Sequence, residues 1–188
     1  MQKEESQRRI EDAIREILKV FGVDETTETY KNTPRRVCRM YMELFAGLDK
    51  KNEPSIRLFD NTGYRDILTV KNIPFYSICA HHLLPIFGHV SIAYIPGERI
   101  CGLSKFPRIV KYFASRLQVQ EDFTKELTDY LYEKLKARGV LVMISARHLC
   151  MEMRGIKTHD VEAVSSAIRG SFEKNPSTKD EALKILLS

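Results

Sequence analysis

Apolar side chains recur with helical spacing at the start of the chain. Ile10, Ala13, Ile14, Ile17, Leu18 and Phe21 share one face, and Gly22 follows as a stop. A second helix is expected from Thr33, a capping residue, with Pro34 at the first helical position. It runs through Val37, Met40, Tyr41, Leu44 and Phe45 to Gly47. Residues 48–65 are polar and turn-rich, and read as a linker with a short extended piece. The texture then changes, with strands expected at 67–70, 90–95, 140–146 and 161–168. Between the second and third of these lie two helical patterns. One carries Ile109, Val110, Phe113 and Leu117; the other carries Phe123, Leu127, Tyr130, Leu131 and Leu135, with Gly139 as its stop. A short terminal helix is expected at 178–187. This order predicts an α+β architecture, an antiparallel sheet with two helices on one face. The expected division is a helical region with its linker at 1–65 and the sheet domain at 66–188.

At 188 residues, with 43% hydrophobic and 29% charged side chains, the chain suits one ordinary domain with an appendage. No apolar run approaches the roughly 20 residues of a membrane span. The charged opening MQKEESQRRIEDAIREI lacks an apolar signal core, so the expectation is a cytoplasmic protein without a membrane partner. A formal net charge of +5 suits an anionic ligand, and is well below the blocks of like charge that mark nucleic-acid tails. Cys38, Cys79, Cys101 and Cys150 are widely spaced. In a reducing compartment they are free thiols or metal ligands rather than disulfides.

Two clusters hold soft and borderline metal donors: Cys79-Ala80-His81-His82 and His148-Leu149-Cys150. Zinc takes thiolate and imidazole, and three protein ligands leave an open fourth position. Packing of small buried thiols and structural histidines is the competing reading, and it is the preferred one for Cys38 and Cys101, which lack neighbouring histidines. If the strand before it continues through residues 146–152, His148 and Cys150 face the same side about 7 Å apart. For His82 to join Cys79 the chain must turn, and Pro85 makes a turn plausible. A cationic set comprises Arg35, Arg36 and Arg39 early in the second helix, Lys105 and Arg108 after the Gly102-Leu103-Ser104 turn, and Arg154. Guanidinium forks and a helix N-terminus suit a polyphosphate, although solvated surface charge is the plainer reading. Glu121, near the start of a helix, is either a cap or an acceptor for paired N–H groups of a guanine edge.

Several of these stretches together resemble GTP cyclohydrolase I. They are Thr33-Pro34-x-Arg36-Val37, Cys79-x-His81-His82-Leu83-x-Pro85, Ala93-Tyr94-Ile95-Pro96, Gly102-Leu103-Ser104-Lys105, Arg116-Leu117-Gln118-Val119-Gln120-Glu121 and His148-x-Cys150-Met151 with Arg154-Gly155. The resemblance spans roughly residues 30–175. It implies that Cys79, His82 and Cys150 bind Zn2+ and that His81 and His148 transfer protons. It further implies that Glu121, with Gln120, holds guanine, and that Ser104, Lys105, Arg108, Arg36, Arg39 and Arg154 surround the triphosphate of GTP. The implied fold is the tunnelling fold, in which sheets of several subunits close into a barrel. The implied assembly is a homo-oligomer, a decamer of two pentamers with sites between subunits. The implied reaction opens the imidazole ring at C8, giving 7,8-dihydroneopterin triphosphate and formate at the entry to tetrahydrofolate and pterin biosynthesis.

The chain departs from the family pattern at Ala80, where glutamate is usual; alanine can neither accept a hydrogen bond nor balance charge. The alternatives are a variant or paralogue that binds GTP without full turnover, another pterin- or deazapurine-forming enzyme of the same fold, and a nucleic-acid module. The complete triphosphate set argues against the second, and no aromatic stacking stripe supports the third.

Overall fold

A computed structural model describes residues 2–188. The chain forms two compact units, one ending at Ala46 and the other spanning Gly47–Ser188. The first is a pair of packed helices, α1 (Gln2–Val20) and α2 (Glu28–Leu44). The sequence places the start of α2 at Thr33, but the helix begins earlier. Thr27 takes the cap position, its Oγ1 accepting from the Tyr30 N–H at 3.2 Å, while Asp24 holds Thr26 through Oδ1 at 2.8 Å. Pro34 therefore sits inside the helix, buried, and supplies no N–H to the preceding turn.

In the second unit, β1 (Leu58–Asp60) pairs with β4 (Arg99–Cys101). The expected boundary after residue 65 thus falls beyond a strand that already belongs to this unit. The main sheet is built from β2 (Leu68–Cys79), β3 (Pro85–Ile95), β5 (Leu117–Gln118), β6 (Gly139–His148) and β7 (Ala163–Gly170), in the order β5-β2-β3-β6-β7. All pairs are antiparallel except β2 with β5, which is parallel. Helices α3 (Lys105–Ala114) and α4 (Gln120–Leu135) cover one face, and the short α5 (Leu149–Glu152) follows β6 directly. After β7 come α6 (Ser171–Lys174) and α7 (Pro176–Leu187), the latter capped by the Asn175 side chain.

Strand parity explains the layering. Val90, Ile92 and Tyr94 of β3 and Val140, Val142 and Ile144 of β6 point to the α3/α4 side, where they join Phe106, Ile109, Phe123, Leu127 and Leu131 in one buried core. Ala93, Ile95 and Leu141 have the opposite parity and pack against Phe172, Ala182 and Leu186. The two-helix layer is thus as expected, and α7 adds a smaller cover on the other face. One helical expectation fails locally. α3 stops at Ala114, and Leu117 enters β5 rather than the helical stripe. Arg116 holds that exit, donating from Nε to the Gly47 carbonyl at 3.0 Å and lying 4.4 Å from the Phe113 ring centroid. Gly139 starts β6 instead of ending α4; Lys136 closes the helix in the left-handed region at φ 48°.

Candidate active site

Three strand and helix ends meet on the helical side of the sheet. Cys79 closes β2, His148 closes β6, and Gln120 opens α4. The ladder registers Ile78 opposite Pro85 and Ile86 opposite His148, so both chain ends flank the start of β3. After Cys79 the chain turns as expected: the Leu83 N–H returns to the Cys79 carbonyl at 2.9 Å, and the Cys79 N–H donates to the Leu84 carbonyl at 2.9 Å. Leu83 adopts φ 55° within this turn. The reversal brings His82 Nδ1 to 3.8 Å from Cys79 Sγ.

The expected continuation of the strand through Cys150 does not occur. β6 ends at His148 and the chain coils into α5. A strand would have kept Cys150 on β6, about 10 Å from β2 because β3 lies between them. The helical turn instead carries it over β3, and Cys79, His82 and Cys150 offer ligand atoms all within 4.8 Å of one another. Burial pushes the Cys150 thiol up, and the adjacent Cys79 adds to that shift. The turn is clamped by Arg147, which donates to both carboxylate oxygens of the buried Glu152 at 2.7 Å each and reaches Asp160 at 3.3 Å. Nothing in the spacing of these three residues advertised that clamp.

Beside the three donors lies a cavity of about 300 Å³, lined by His81, Gln118, Glu121, His148, Cys150 and Val164 among others. His81 is exposed in the turn, its ring 6.1 Å from that of His82. Burial lowers the pKa of His148, against the opposing pull of Glu121. Glu121 itself is exposed in the first turn of α4, where the helix dipole favours a carboxylate. Gln120, beside it, is turned into the protein. It is 5% exposed, and its side chain is engaged by His148, Ile144, Ala163 and Ser165. The Ala80 N–H donates to the Gln118 carbonyl at 3.2 Å and its side chain is exposed, so the three donors converge without a carboxylate at that position.

The cationic residues divide. Arg154 stands at the centre, Nη1 3.3 Å from His82 Nε2. Ser104, Lys105 and Arg108 are not among the cavity residues. They begin α3 beside β4, at the end of the sheet where Leu68 pairs with Tyr94, and α3 must run its ten residues, about 15 Å, back toward β5 and Cys79. Arg36 and Arg39 are exposed on α2, in the other unit. Cys38 and Cys101 are buried, as packing predicts.

Comparison with known proteins settles the kinship. The family profile described as GTP cyclohydrolase I matches residues 10–187. The chain belongs to the GTP cyclohydrolase I family. It is 44% identical to "GTP cyclohydrolase 1" of Carboxydothermus hydrogenoformans over 95% of this chain and 93% of that protein. It shares the same 44% with the "GTP cyclohydrolase 1" of Clostridioides difficile, over 95% of each chain. The protein of that name from Thermoanaerobacter pseudethanolicus is also 44% identical, over 96% of each. The GTP cyclohydrolase I family is a family of enzymes, and the cavity beside Cys79, His82 and Cys150 is its candidate active site in this chain. Among the described residues no helix is long and apolar enough to cross a membrane.

Proposed function

We propose that this chain catalyses the zinc-dependent hydrolytic opening of the GTP imidazole ring at C8, releasing formate and forming 7,8-dihydroneopterin triphosphate, the entry step of tetrahydrofolate and pterin biosynthesis in the cytoplasm. One observation carries the reading: two thiols and an imidazole converge beside a cavity that also holds His148 and Glu121. Thiolate and imidazole donors suit zinc, whereas magnesium and calcium want oxygen ligands. Zinc held by Cys79, His82 and Cys150 supplies Lewis acidity and eases the ionisation of water near neutral pH.

The residues of the chain do the rest. Glu121 accepts the paired N–H groups of guanine, a contact adenine cannot make. That anchors the purine with C8 toward His148 and His81. His148, partly buried and biased to the neutral form, takes a proton as water adds to C8. Return of that proton to the departing ring nitrogen opens the ring, and a second hydrolysis frees formate before the ribose rearranges and the new ring closes. Arg154 neutralises charge close to the centre.

The triphosphate needs more cations than one copy brings to the cavity. Ser104, Lys105 and Arg108 lie at the other end of the sheet, which supports a site completed by a second copy. Two features favour such assembly. β7 is an eight-residue edge strand, open on its outer side among the described residues. Tyr76 and Val164, 71% and 63% exposed, present apolar surface on the sheet face that α3 and α4 leave uncovered. Sheets joined edge to edge give the barrel of a tunnelling fold, in a decamer of two pentamers, with Arg36 and Arg39 adding to the phosphate field.

The deciding experiment incubates purified protein with GTP, with and without a chelator, and measures formate. Formate released with GTP, lost on chelation and restored by zinc, is the expected result. Undiminished release after metal removal would overturn the metal assignment, and GTP binding without formate would overturn the catalytic one.

A further inference from the structure

The side chain of Gln120 reaches four polar partners in a buried pocket between α4, β6 and β7, and their chemistry leaves one orientation of the amide. Its Nε2 lies 3.2 Å from the Ile144 carbonyl and 2.9 Å from the Ala163 carbonyl. Carbonyl oxygens only accept, so a reversed amide would set three oxygens against one another. The amide nitrogen therefore faces β6 and β7, and Oε1 faces His148 Nε2 at 2.7 Å.

Two hydroxyls lock the same orientation. Thr124 Oγ1 is 2.7 Å from the Gln120 backbone carbonyl, so its single proton goes there. Its other contact, 2.7 Å to Ser165 Oγ, must then be a bond that Ser165 donates. With its proton spent, Ser165 Oγ accepts from Gln120 Nε2 at 3.0 Å. No buried side-chain polar atom among the described residues lacks a partner, so every donor in this network is matched.

An amide oxygen has no proton to give, so His148 Nε2 must carry one whether the ring is neutral or cationic. We propose that Gln120 is a positioning residue, held by Thr124, Ser165 and the carbonyls of Ile144 and Ala163, that keeps a proton on His148 Nε2 and leaves Nδ1 as the nitrogen that exchanges protons with the reacting purine. The role of Nδ1 rests on the proposed reaction; the placement of the Nε2 proton does not. The inference also assigns the Gln120 side chain to His148 and gives β7 a part in proton transfer through Ser165 and Ala163.

The test is a long-range 1H–15N correlation spectrum of the zinc-loaded, full-length enzyme labelled with [15N]histidine. The His148 signals are identified by their loss in His148→Asn. The expected wild-type pattern is the Nε2–H tautomer, and a neutral ring protonated on Nδ1 would overturn the proposal without any further variant. In Gln120→Met, an unbranched apolar replacement, the Nδ1–H form should appear. kcat should fall about 10²-fold, the lower end of what a positioned proton-transfer group supplies, while KM for GTP barely moves. An unchanged tautomer in Gln120→Met would overturn the lock. A wild-type protein with the expected tautomer but no formate release would count against the proposed reaction alone, leaving the proton assignment supported.

Discussion

Gly88 lies in β3 opposite Ala146, two residue pairs from the pair that places His148. A Cβ there would run into the Ser145 carbonyl oxygen and stand 2.6 Å from Ala146 Cα and 2.9 Å from the Ser145 carbonyl carbon. All three are backbone atoms, so no rotamer change relieves Gly88→Ala; β3 and β6 must part by about 1 Å to restore ordinary contact distances. That separation breaks two or three ladder hydrogen bonds at about 1 kcal/mol each. Residual overpacking adds about 1–3 kcal/mol. The sum, about 3–6 kcal/mol, is a large fraction of the stability of a typical domain and corresponds to a fall of roughly 10–20 °C in melting temperature. Because the displaced strands carry Ile86 and His148, the 2.7 Å contact from His148 to Gln120 should loosen as well, and formate release should fall more than the folded fraction does. Thermal unfolding followed by circular dichroism, with formate release assayed well below the transition, checks both effects. A variant melting within a degree of wild type with full activity would refute the claim that backbone approach at Gly88 sets the site.

Breaking the clamp on α5 with Arg147→Met leaves the Glu152 carboxylate without its guanidinium and frees the turn that carries Cys150; zinc affinity measured by chelator competition should fall about 10–100-fold. Cys150→Ser should abolish stoichiometric zinc binding, read by elemental analysis, because only two donors of the right kind remain. Ala80→Glu should leave zinc content unchanged, since the position is exposed and the three donors are untouched; loss of zinc would show that the turn depends on a small residue there. For Asp129, burial pushes the carboxyl up, but Arg169 at 2.6 Å and Lys125 at 3.2 Å outweigh it and hold the pKa below the usual value. A depressed carboxyl stabilises the fold above its unfolded pKa of about 3.9 and loses that contribution as pH falls through the lower folded value. Asp129→Asn should therefore flatten the acid limb of stability below about pH 4, and an unaltered limb in urea titrations would contradict the assignment.

Much was legible in the sequence because it depends on local periodicity or on residue chemistry. The stripe of Phe123, Leu127, Leu131 and Leu135 must bury one helical face, and an unbroken apolar run from Val140 to Ile144 in a strand must bury both sheet faces. The soft donors Cys79, His82 and Cys150 announce borderline-metal chemistry wherever they meet, and Pro85 signals the turn that His82 requires. Elements decided by competition with distant partners were less visible. Thr27 rather than Thr33 caps α2, because the Asp24 turn organises the residues ahead of it. Leu117 leaves its helical stripe, because β2 offers a parallel edge and Arg116 finds Gly47 and Phe113.

Residue types and their spacing were enough for the candidate metal donors, the helical and strand periods and the family. Three features came from long-range packing: Cys150 turns back over β3 instead of continuing a strand, Gln120 is buried against His148, and Lys105 and Arg108 start α3 at the far end of the sheet. The physical reason is that residue type fixes what an atom can bind, while its partner depends on strand register and helix direction. A ladder pairing Ile86 with His148, and an amide held by carbonyls of two strands, arise from residues tens of positions apart. Local pattern carries no term for them.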